Sequence, residues 1–152
     1  MSTFYITTPL YYVNDEPHIG HAYTTILADV LSRFRRSLGQ DVYFLTGTDE
    51  HGQKVQEASL KRNVTPKKHA DEYVKRFKNA WENLDIEYDY FIRTTDLNHK
   101  NRVREILAFL FKKGDIYFDE YEGLYSVSEE RFITEKEKEE GHFREIKCII
   151  RF

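Results

Sequence analysis

The stretch that decides the fold runs from Phe4 to His21 and reads FYITTPLYYVNDEPHIGH. Its first part, Phe4–Thr8, is β-branched and aromatic and ends at Pro9, which predicts a buried strand. Pro17 suits the first turn of a helix, where a missing N–H group costs nothing. Ligands of open α/β sheets bind at the carboxyl ends of the strands, so we expect the loop 10–16 to border a site.

Two histidines, His18 and His21, stand at the predicted helix start and share one face of it. Free backbone N–H groups and the positive end of the helix dipole lie beside them, and this arrangement suits a phosphate group. Gly20 lets a flat ring or a phosphate chain approach the backbone. Taken alone, a His-x-x-His pair is more often a surface pair or a fortuitous metal site than a catalytic pair.

The strand Phe4–Thr8 is followed by a predicted helix and a second predicted strand, and together the three form the parallel crossover unit. The helix stops at Gly39, and Asp29 and Arg33 lie one turn apart on its polar side. The β-prone run Val42–Leu45 predicts a buried strand that ends at Thr46-Gly47. No G-x-G-x-x-G pattern follows the first strand, which argues against a dinucleotide cofactor. The apolar stripe of the helix consists of Ile19, Ala22, Ile26, Val30, Leu31, Phe34 and Leu38.

Further helices and a third strand are predicted downstream. One helix covers about 51–62, a second begins at Thr65-Pro66, a strand covers 90–94, and a last helix ends at Gly114. The side chains expected to face the core are Ala70, Tyr73, Val74, Phe77, Ala80, Trp81 and Leu84 in the second helix and Val103, Ile106, Leu107, Leu110 and Phe111 in the last.

The pattern changes after Gly114. The alternation in Ile116–Val127 predicts a hairpin, and the dense mixed charge of Glu129–Glu140 predicts a solvated arm.

Composition sets the general class. With 152 residues, 40% of them hydrophobic, the chain can bury one substantial core. The net charge of −3 provides no basic field for nucleic acid. The single Cys148 excludes an internal disulfide, and no apolar run approaches the ~20 residues that a bilayer needs. We therefore expect a soluble cytoplasmic protein that does not bind a membrane.

Two motifs carry a family resemblance. TTPLYYVNDEPHIGHAYTT at Thr7–Thr25 and LTGTDEHG at Leu45–Gly52 resemble the amino-terminal catalytic half of bacterial methionyl-tRNA synthetases, which are class I aminoacyl-tRNA synthetases. His18–His21 matches the HIGH signature of that class, and the resemblance extends from Phe4 to about Glu145. It implies an α/β fold: the first half of a Rossmann-type parallel-sheet, nucleotide-binding domain at 1–115, and the truncated start of a connective insertion at 116–152. Tyr125–Glu129 stands where many relatives carry zinc-binding cysteines, so we expect a zinc-free insertion.

The resemblance also implies an ATP-dependent ligase of protein biosynthesis. In that reaction methionine and ATP form methionyl-adenylate, and the methionyl group then passes to tRNA(Met). His18 and His21 would be the catalytic residues and contact the ATP phosphates, with Gly20 under the adenosine. Magnesium would accompany ATP, although the sequence names no residue as a metal ligand.

The same resemblance assigns a methionine pocket to Leu10, Tyr12 and Asp49, with Asp49 binding the ammonium group, and makes Asn14 and His51 further candidates. Other interpretations stay open: Tyr12 as core, Asp49 as a helix N-cap, and His51 as a histidine bonded to backbone.

The second signature of the class, a lysine-rich KMSKS loop, does not occur in the sequence, since Lys136 and Lys138 lie among glutamates. We therefore expect little or no aminoacylation by this polypeptide alone. The tail Cys148–Phe152 does not align with the family. The sequence leaves open whether the chain is a truncated or frameshifted reading frame, a deliberately made piece or one part of a split enzyme. It also leaves two alternative functions: a small HIGH-type nucleotidyl transferase, or a remnant without catalytic activity.

Overall fold

A computed structural model of the chain shows a parallel sheet with helices packed against it, and a separate small antiparallel sheet. It describes residues 2–119, 123–126, 129, 131–134 and 136–137, together with the backbone of 146–148. The chain divides into two compact units, Met1–Glu105 and Ile106–Phe152. The elements are β1 (Thr3–Thr7), β2 (Tyr11–Tyr12), α1 (Ile19–Ser37), β3 (Asp41–Asp49), α2 (Gln53–Lys61), α3 (Pro66–Asn83), β4 (Tyr90–Arg93), α4 (Leu97–Lys113), β5 (Leu124–Ser126), β6 (Arg131–Ile133) and β7 (Ile146–Cys148).

The parallel sheet is built around β3, which pairs with β1, β2 and β4, all in parallel. The predicted strand–helix–strand crossover is therefore confirmed. The loop prediction for 10–16 is wrong at Tyr11 and Tyr12, because these residues form a short strand opposite Thr48 and Asp49. A two-residue strand has too little pattern to be predicted from sequence, since its hydrogen bonds depend on the neighbouring β3.

The strand β3 is longer than predicted and continues through Gly47 to Asp49. Gly47 fits because β4 lies so close that a Cβ atom there would stand 2.0 Å from the carbonyl oxygen of Ile92. Glycine often marks the end of a strand, but at position 47 it lies within the strand and permits two strands to pair closely. The sequence predicted the partner strand at 90–94, but not how closely it approaches Gly47.

Helix α1 has the predicted bounds, but the predicted apolar stripe is not its buried face. Its buried residues are Thr25, Ala28, Asp29 and Ser32. The helix packs on β1 and β3 through small side chains, which allow close approach, whereas the large apolar side chains lie outside. The predicted pair is present, with Arg33 Nε 2.7 Å from Asp29 Oδ2. The large side chains of the stripe that are exposed are Ile19, Ile26, Val30, Leu31, Phe34 and Leu38.

Helix α3 forms most of the core, as predicted. Thr65 is its N-cap and accepts a hydrogen bond from the backbone N–H of Lys68, and Pro66 occupies the first turn. Phe77 and Trp81 are almost completely buried and pack against Tyr11 of β2. The predicted stripe is confirmed at Ala70, Tyr73, Val74, Phe77 and Trp81, whereas Leu84 is exposed.

Two predictions for the later part of the chain are wrong. Helix α4 has no buried residue, so its predicted inner face, including Val103 and Phe111, is not packed in a core. The predicted hairpin begins later than expected, since β5 pairs with β6 and with β7, and both pairings are antiparallel. Tyr117 and Phe118 are exposed and precede these strands, while β6 lies inside the segment predicted as an arm. The helix error arises because an apolar pattern shows which face could pack, not whether a partner covers it, and the hairpin error arises because alternation alone does not show which segments pair.

The boundary between the two compact units lies within α4. The division into 1–115 and 116–152, which rests on family resemblance, stays a prediction. So does the absence of zinc at 125–129, since 127 and 128 lie outside the described residues. No helix in the described part of the chain is long and apolar enough to span a membrane.

Candidate active site

A cavity of about 350 Å³ lies between the β1–α1 loop and the start of α1. It brings together five of the residues that sequence analysis assigned to a site, and two that it did not, Tyr11 and Asp15. The lining residues are Leu10, Tyr11, Tyr12, Asn14, Asp15, His18 and His21.

His18 and His21 cap the helix reciprocally. The backbone N–H of Gly20 donates to His18 Nδ1 at 3.1 Å, and the backbone N–H of His18 donates to His21 Nδ1 at 3.2 Å. The two rings stack with centroids 3.8 Å apart. Because each Nδ1 accepts a hydrogen bond, a neutral ring carries its proton on Nε2. Each histidine can then donate that Nε2–H to a ligand.

The surroundings of His21 favour the neutral ring. The pKa of His21 is lowered from its ordinary value of 6.5, first because the ring is partly buried and second because His18 lies beside it. The rings of Tyr11 and Phe77 contact His21, with centroids 4.8 and 5.2 Å away. His21 is therefore suited to donate a hydrogen bond at neutral pH.

Tyr11 is a structural part of the site that the sequence analysis missed. Its ring is buried, and its hydroxyl lies 2.9 Å from the hydroxyl of Thr25 on α1. This bond ties β2 to α1, and so fixes the loop residues relative to the histidines. Burial alternates from Tyr11 through exposed Tyr12 to Val13, as is typical of a strand, but the residue types Tyr-Tyr-Val do not alternate and gave no such signal.

Asp49 lies beside the cavity residue Tyr12, because the two are paired in neighbouring strands. Tyr12 is 37% exposed, so it is not a core residue. The N-cap of α2 is Gly52, so Asp49 does not have that role either. Asp49 is instead the last residue of β3, and its Oδ1 atom accepts hydrogen bonds from the backbone N–H of His51 and from the hydroxyl of Thr94, both at 3.3 Å.

His51 does not line the cavity that contains His18 and His21. Its Nε2 atom lies 3.2 Å from the carbonyl oxygen of Thr94. It borders a separate cavity of about 230 Å³, together with Thr94, His99, Lys100, Val103 and Arg104.

His69 supports the loop that lines the cavity, and the sequence analysis did not identify it either. The side chain is fully buried, its Nε2 atom lies 2.7 Å from the carbonyl oxygen of Val13, and its ring stacks on Tyr73. Charged residues surround His69 in the sequence, and its only signal was a position one turn before Tyr73, on the predicted inner face of α3. Its contact holds the chain just before Asn14 and Asp15.

Among the described residues, no group of three or more His, Cys, Asp or Glu side chains could hold a metal ion.

Comparison with known proteins shows which family the chain belongs to. Residues 4–145 match the family model described as "tRNA synthetases class I (M)". The chain belongs to this family. The membership inferred from the motifs at Thr7–Thr25 and Leu45–Gly52 is thus confirmed.

Curated class I synthetases of this family are similar over most of the chain. A methionine–tRNA ligase of Campylobacter jejuni is 53% identical over 133 residues, which are 88% of this chain and 21% of that protein. A methionine–tRNA ligase of Caldanaerobacter subterraneus is 51% identical over 139 residues, with 91% and 22% covered. The chain therefore spans about a fifth of the length of these relatives.

Solved structures agree. The Mycobacterium tuberculosis methionyl-tRNA synthetase in complex with methionyl-adenylate has a TM-score of 0.86 and 44% identity, over 90% of this chain and 27% of that one. The Rossmann-type α/β class is therefore confirmed. A leucyl synthetase (LeuRS) from Agrobacterium radiobacter, at 23% identity and a TM-score of 0.76, shares the fold alone.

Proposed function

We propose that this chain forms the part of a methionine–tRNA ligase that binds methionine and the phosphates of ATP. The observation that carries the proposal is the cavity in which His18, His21, Leu10 and Tyr12 meet, with Asp49 paired beside Tyr12. Apolar walls with one carboxylate suit an amino acid that has a thioether side chain and an ammonium group. Donors at a helix N-terminus suit phosphate oxygens.

The reaction follows from these roles. A carboxylate oxygen of methionine attacks the α-phosphorus of ATP, the bond to the bridging oxygen of pyrophosphate breaks, and methionyl-adenylate forms. Such a transfer requires in-line positioning and donors where negative charge develops. The Nε2–H groups of His18 and His21 would be these donors, and Gly20 would lie under the adenosine.

The assignments beyond the cavity are part of the same proposal. Leu10, Tyr12 and Asp49 bind methionine, and Asn14 and His51 are secondary candidates, His51 with less support because it borders another cavity. The described residues do not fit a protein-held metal ion, so Mg²⁺ enters only as the counter-ion of ATP, and we derive no step through it. In the whole enzyme the methionyl group would pass to tRNA(Met) in the cytoplasm.

Binding is the first test. The chain is titrated with a sulfamoyl analogue of methionyl-adenylate and with the matching leucyl analogue, in an isothermal calorimeter. We expect the methionyl analogue to bind more tightly, and His18→Ala and His21→Ala each to weaken it about tenfold, as for a lost charge-assisted hydrogen bond. His99→Ala is the matched control, because His99 lies outside the cavity. Equal binding of both analogues, or no effect of the two substitutions, would contradict the proposal.

Catalysis is the second test. Exchange of pyrophosphate into ATP is measured with a panel of amino acids, for the chain alone and with a polypeptide that supplies the rest of the catalytic domain. We expect methionine-dependent exchange only in the mixture. Exchange driven by another amino acid would favour a different nucleotidyl transferase.

A further inference from the structure

The turn after β4 holds the turn after β3 through one buried hydroxyl. Thr94, which is 8% exposed, accepts a hydrogen bond from the backbone N–H of Glu50 at 2.9 Å. The same hydroxyl donates to Asp49 Oδ1 at 3.3 Å. The side-chain oxygen of Thr94 therefore fixes both the backbone just after Asp49 and one oxygen of its carboxylate.

The position of Thr94 is itself fixed by a buried ion pair. Arg93 Nε lies 2.6 Å from Glu50 Oε1 and Arg93 Nη2 lies 2.9 Å from Glu50 Oε2, and the Glu50 side chain has no exposed surface. Thr48 donates to Oε1 of the same carboxylate at 2.8 Å, and Thr95 donates to Oε2. Arg93 also reaches Asp71 on α3 at 2.6 Å.

Arg93 keeps its positive charge over the whole working pH range. The pKa of Arg93 is raised above its ordinary value, mainly by the hydrogen bond to Glu50. A buried carboxylate whose two oxygens both accept hydrogen bonds is rigid. The network therefore forms a fixed support for the residues on either side of it in the chain, Asp49 and Thr94.

We infer that Thr94, supported by the Arg93–Glu50 pair, is a positioning residue that orients Asp49 toward the ammonium group of the amino acid. The inference rests on the proposed function of Asp49. The two hydrogen bonds that Asp49 accepts among the described residues both go to Oδ1. Oδ2 is thus left to face a ligand, and the hydroxyl of Thr94, together with the backbone N–H of His51, holds the carboxylate in that orientation.

The test compares three variants of the whole chain. Thr94→Val removes the hydroxyl with little change of volume, and Thr94→Ser restores it. The matched control is Thr46→Val, since Thr46 is also buried in the sheet and its hydroxyl bonds Thr8 at 2.7 Å, away from Asp49. NMR titrations measure the dissociation constants of L-methionine and of its des-amino analogue, the same thioether acid without the ammonium group. Hydrogen exchange at the Glu50 amide reports the hydrogen bond to Thr94 directly.

We expect Thr94→Val to reduce the preference for methionine over the des-amino analogue about tenfold, and to leave binding of the analogue unchanged. Exchange at the Glu50 amide should become faster only in this variant. Thr94→Ser should keep the wild-type preference. Thr46→Val should lower the melting temperature without changing the preference.

Two outcomes overturn the inference. The first is an unchanged preference in Thr94→Val, and the second is an equal loss of preference in Thr46→Val, which would reduce the effect to general stability. Failure of the proposed function gives a different result, because wild type itself would then bind methionine no better than the des-amino analogue.

Discussion

At the scale of single residues, His18 and His21 have a structural task as well as the chemical one proposed for them. Their Nδ1 atoms cap α1, a task that Ser, Thr, Asp or Asn usually performs. The same pair of contacts leaves Nε2–H on each ring as a donor. Helix start and proposed phosphate site are thus one structure, so a change to the cap should alter both stability and binding.

The first prediction concerns pH. The pKa of His21 is lower in the folded chain than its ordinary value of 6.5, so the unfolded state binds more protons in the interval between the two values. We therefore expect the stabilising contribution of neutral His21 to be fully present above pH 6.5 and to decrease as the pH falls through the folded-state pKa. Urea unfolding between pH 8 and pH 5, for wild type and His21→Gln, measures it. A difference between the two curves that does not vary with pH would contradict the prediction.

The second prediction concerns Gly20. A Cβ atom there would lie 3.0 Å from His18 Cε1 and 3.1 Å from His18 Nδ1, so the exposed His18 ring must move. Alanine favours a helix over glycine by roughly 1 kcal/mol, and the lost His18 cap costs about the same, so we expect Gly20→Ala to leave stability nearly unchanged. We expect affinity for the methionyl-adenylate analogue to fall about tenfold, as His18 loses its hydrogen bond to the Gly20 N–H. Calorimetry and thermal unfolding of the same preparation check both parts, and unchanged affinity would show that His18 does not depend on this contact.

At the scale of elements, the site depends on how closely β3 pairs with its neighbours. β2 places Tyr12 beside Asp49, and β4 ends at Arg93 opposite Thr48. The ends of three strands therefore carry Tyr12 and Asp49, which are proposed to bind the substrate methionine, and the residues that support them. A change in strand pairing should affect the site even where no site residue is altered.

The third prediction tests the close approach at Gly47. The carbonyl oxygen of Ile92 leaves no room for a methyl group there, so Gly47→Ala should cost about 3 kcal/mol of unfolding free energy, as for severe overpacking. Gly39→Ala is the matched control, because Gly39 has φ of 76° but no atom near its Cβ position. It should cost only about 1 kcal/mol, for the left-handed backbone conformation. Equal costs in denaturant titrations would mean that β3 and β4 can separate slightly without loss.

The fourth prediction tests the buried ion pair. Glu50→Gln removes the charge that balances Arg93 in a buried position, and we expect a loss of about 3 kcal/mol of unfolding free energy. Glu105→Gln is the control, since Glu105 forms an exposed pair with Arg102 and should cost less than about 0.5 kcal/mol. Denaturant titrations of both variants measure the difference. Similar small losses would show that the Glu50 site tolerates a neutral side chain.

At the scale of the whole molecule, large apolar side chains are exposed at many positions within residues 2–119. Many large apolar side chains of α1 are exposed, and Phe34 is 54% exposed. Contiguous exposed apolar patches favour association, and a net charge of −3 opposes it only weakly.

The fifth prediction follows from this surface. We expect the purified chain to self-associate at micromolar concentration. Size-exclusion chromatography with light scattering should then give a molar mass above the 18.3 kDa of the monomer. Val30→Lys combined with Phe34→Lys should shift the chain toward monomer, because both side chains are exposed in α1. Lys78→Glu, an exposed charge change on α3, is the control. A monomeric wild type at high concentration would contradict the prediction.

The sequence by itself determined the fold class, the order of the main elements, the N-cap of α3 and the family, because these depend on local periodicity, capping residues and two contiguous motifs. It also named five residues that line one cavity, His18 and His21 among them. Only the tertiary structure decided which face of α1 is buried, that Tyr11 and Tyr12 form a strand, and that Thr94 contacts Asp49. These features depend on pairs of residues 14 to 45 positions apart in the chain, such as Tyr11 with Thr25 and Asp49 with Thr94, and contacts over such distances leave no periodic pattern in the sequence.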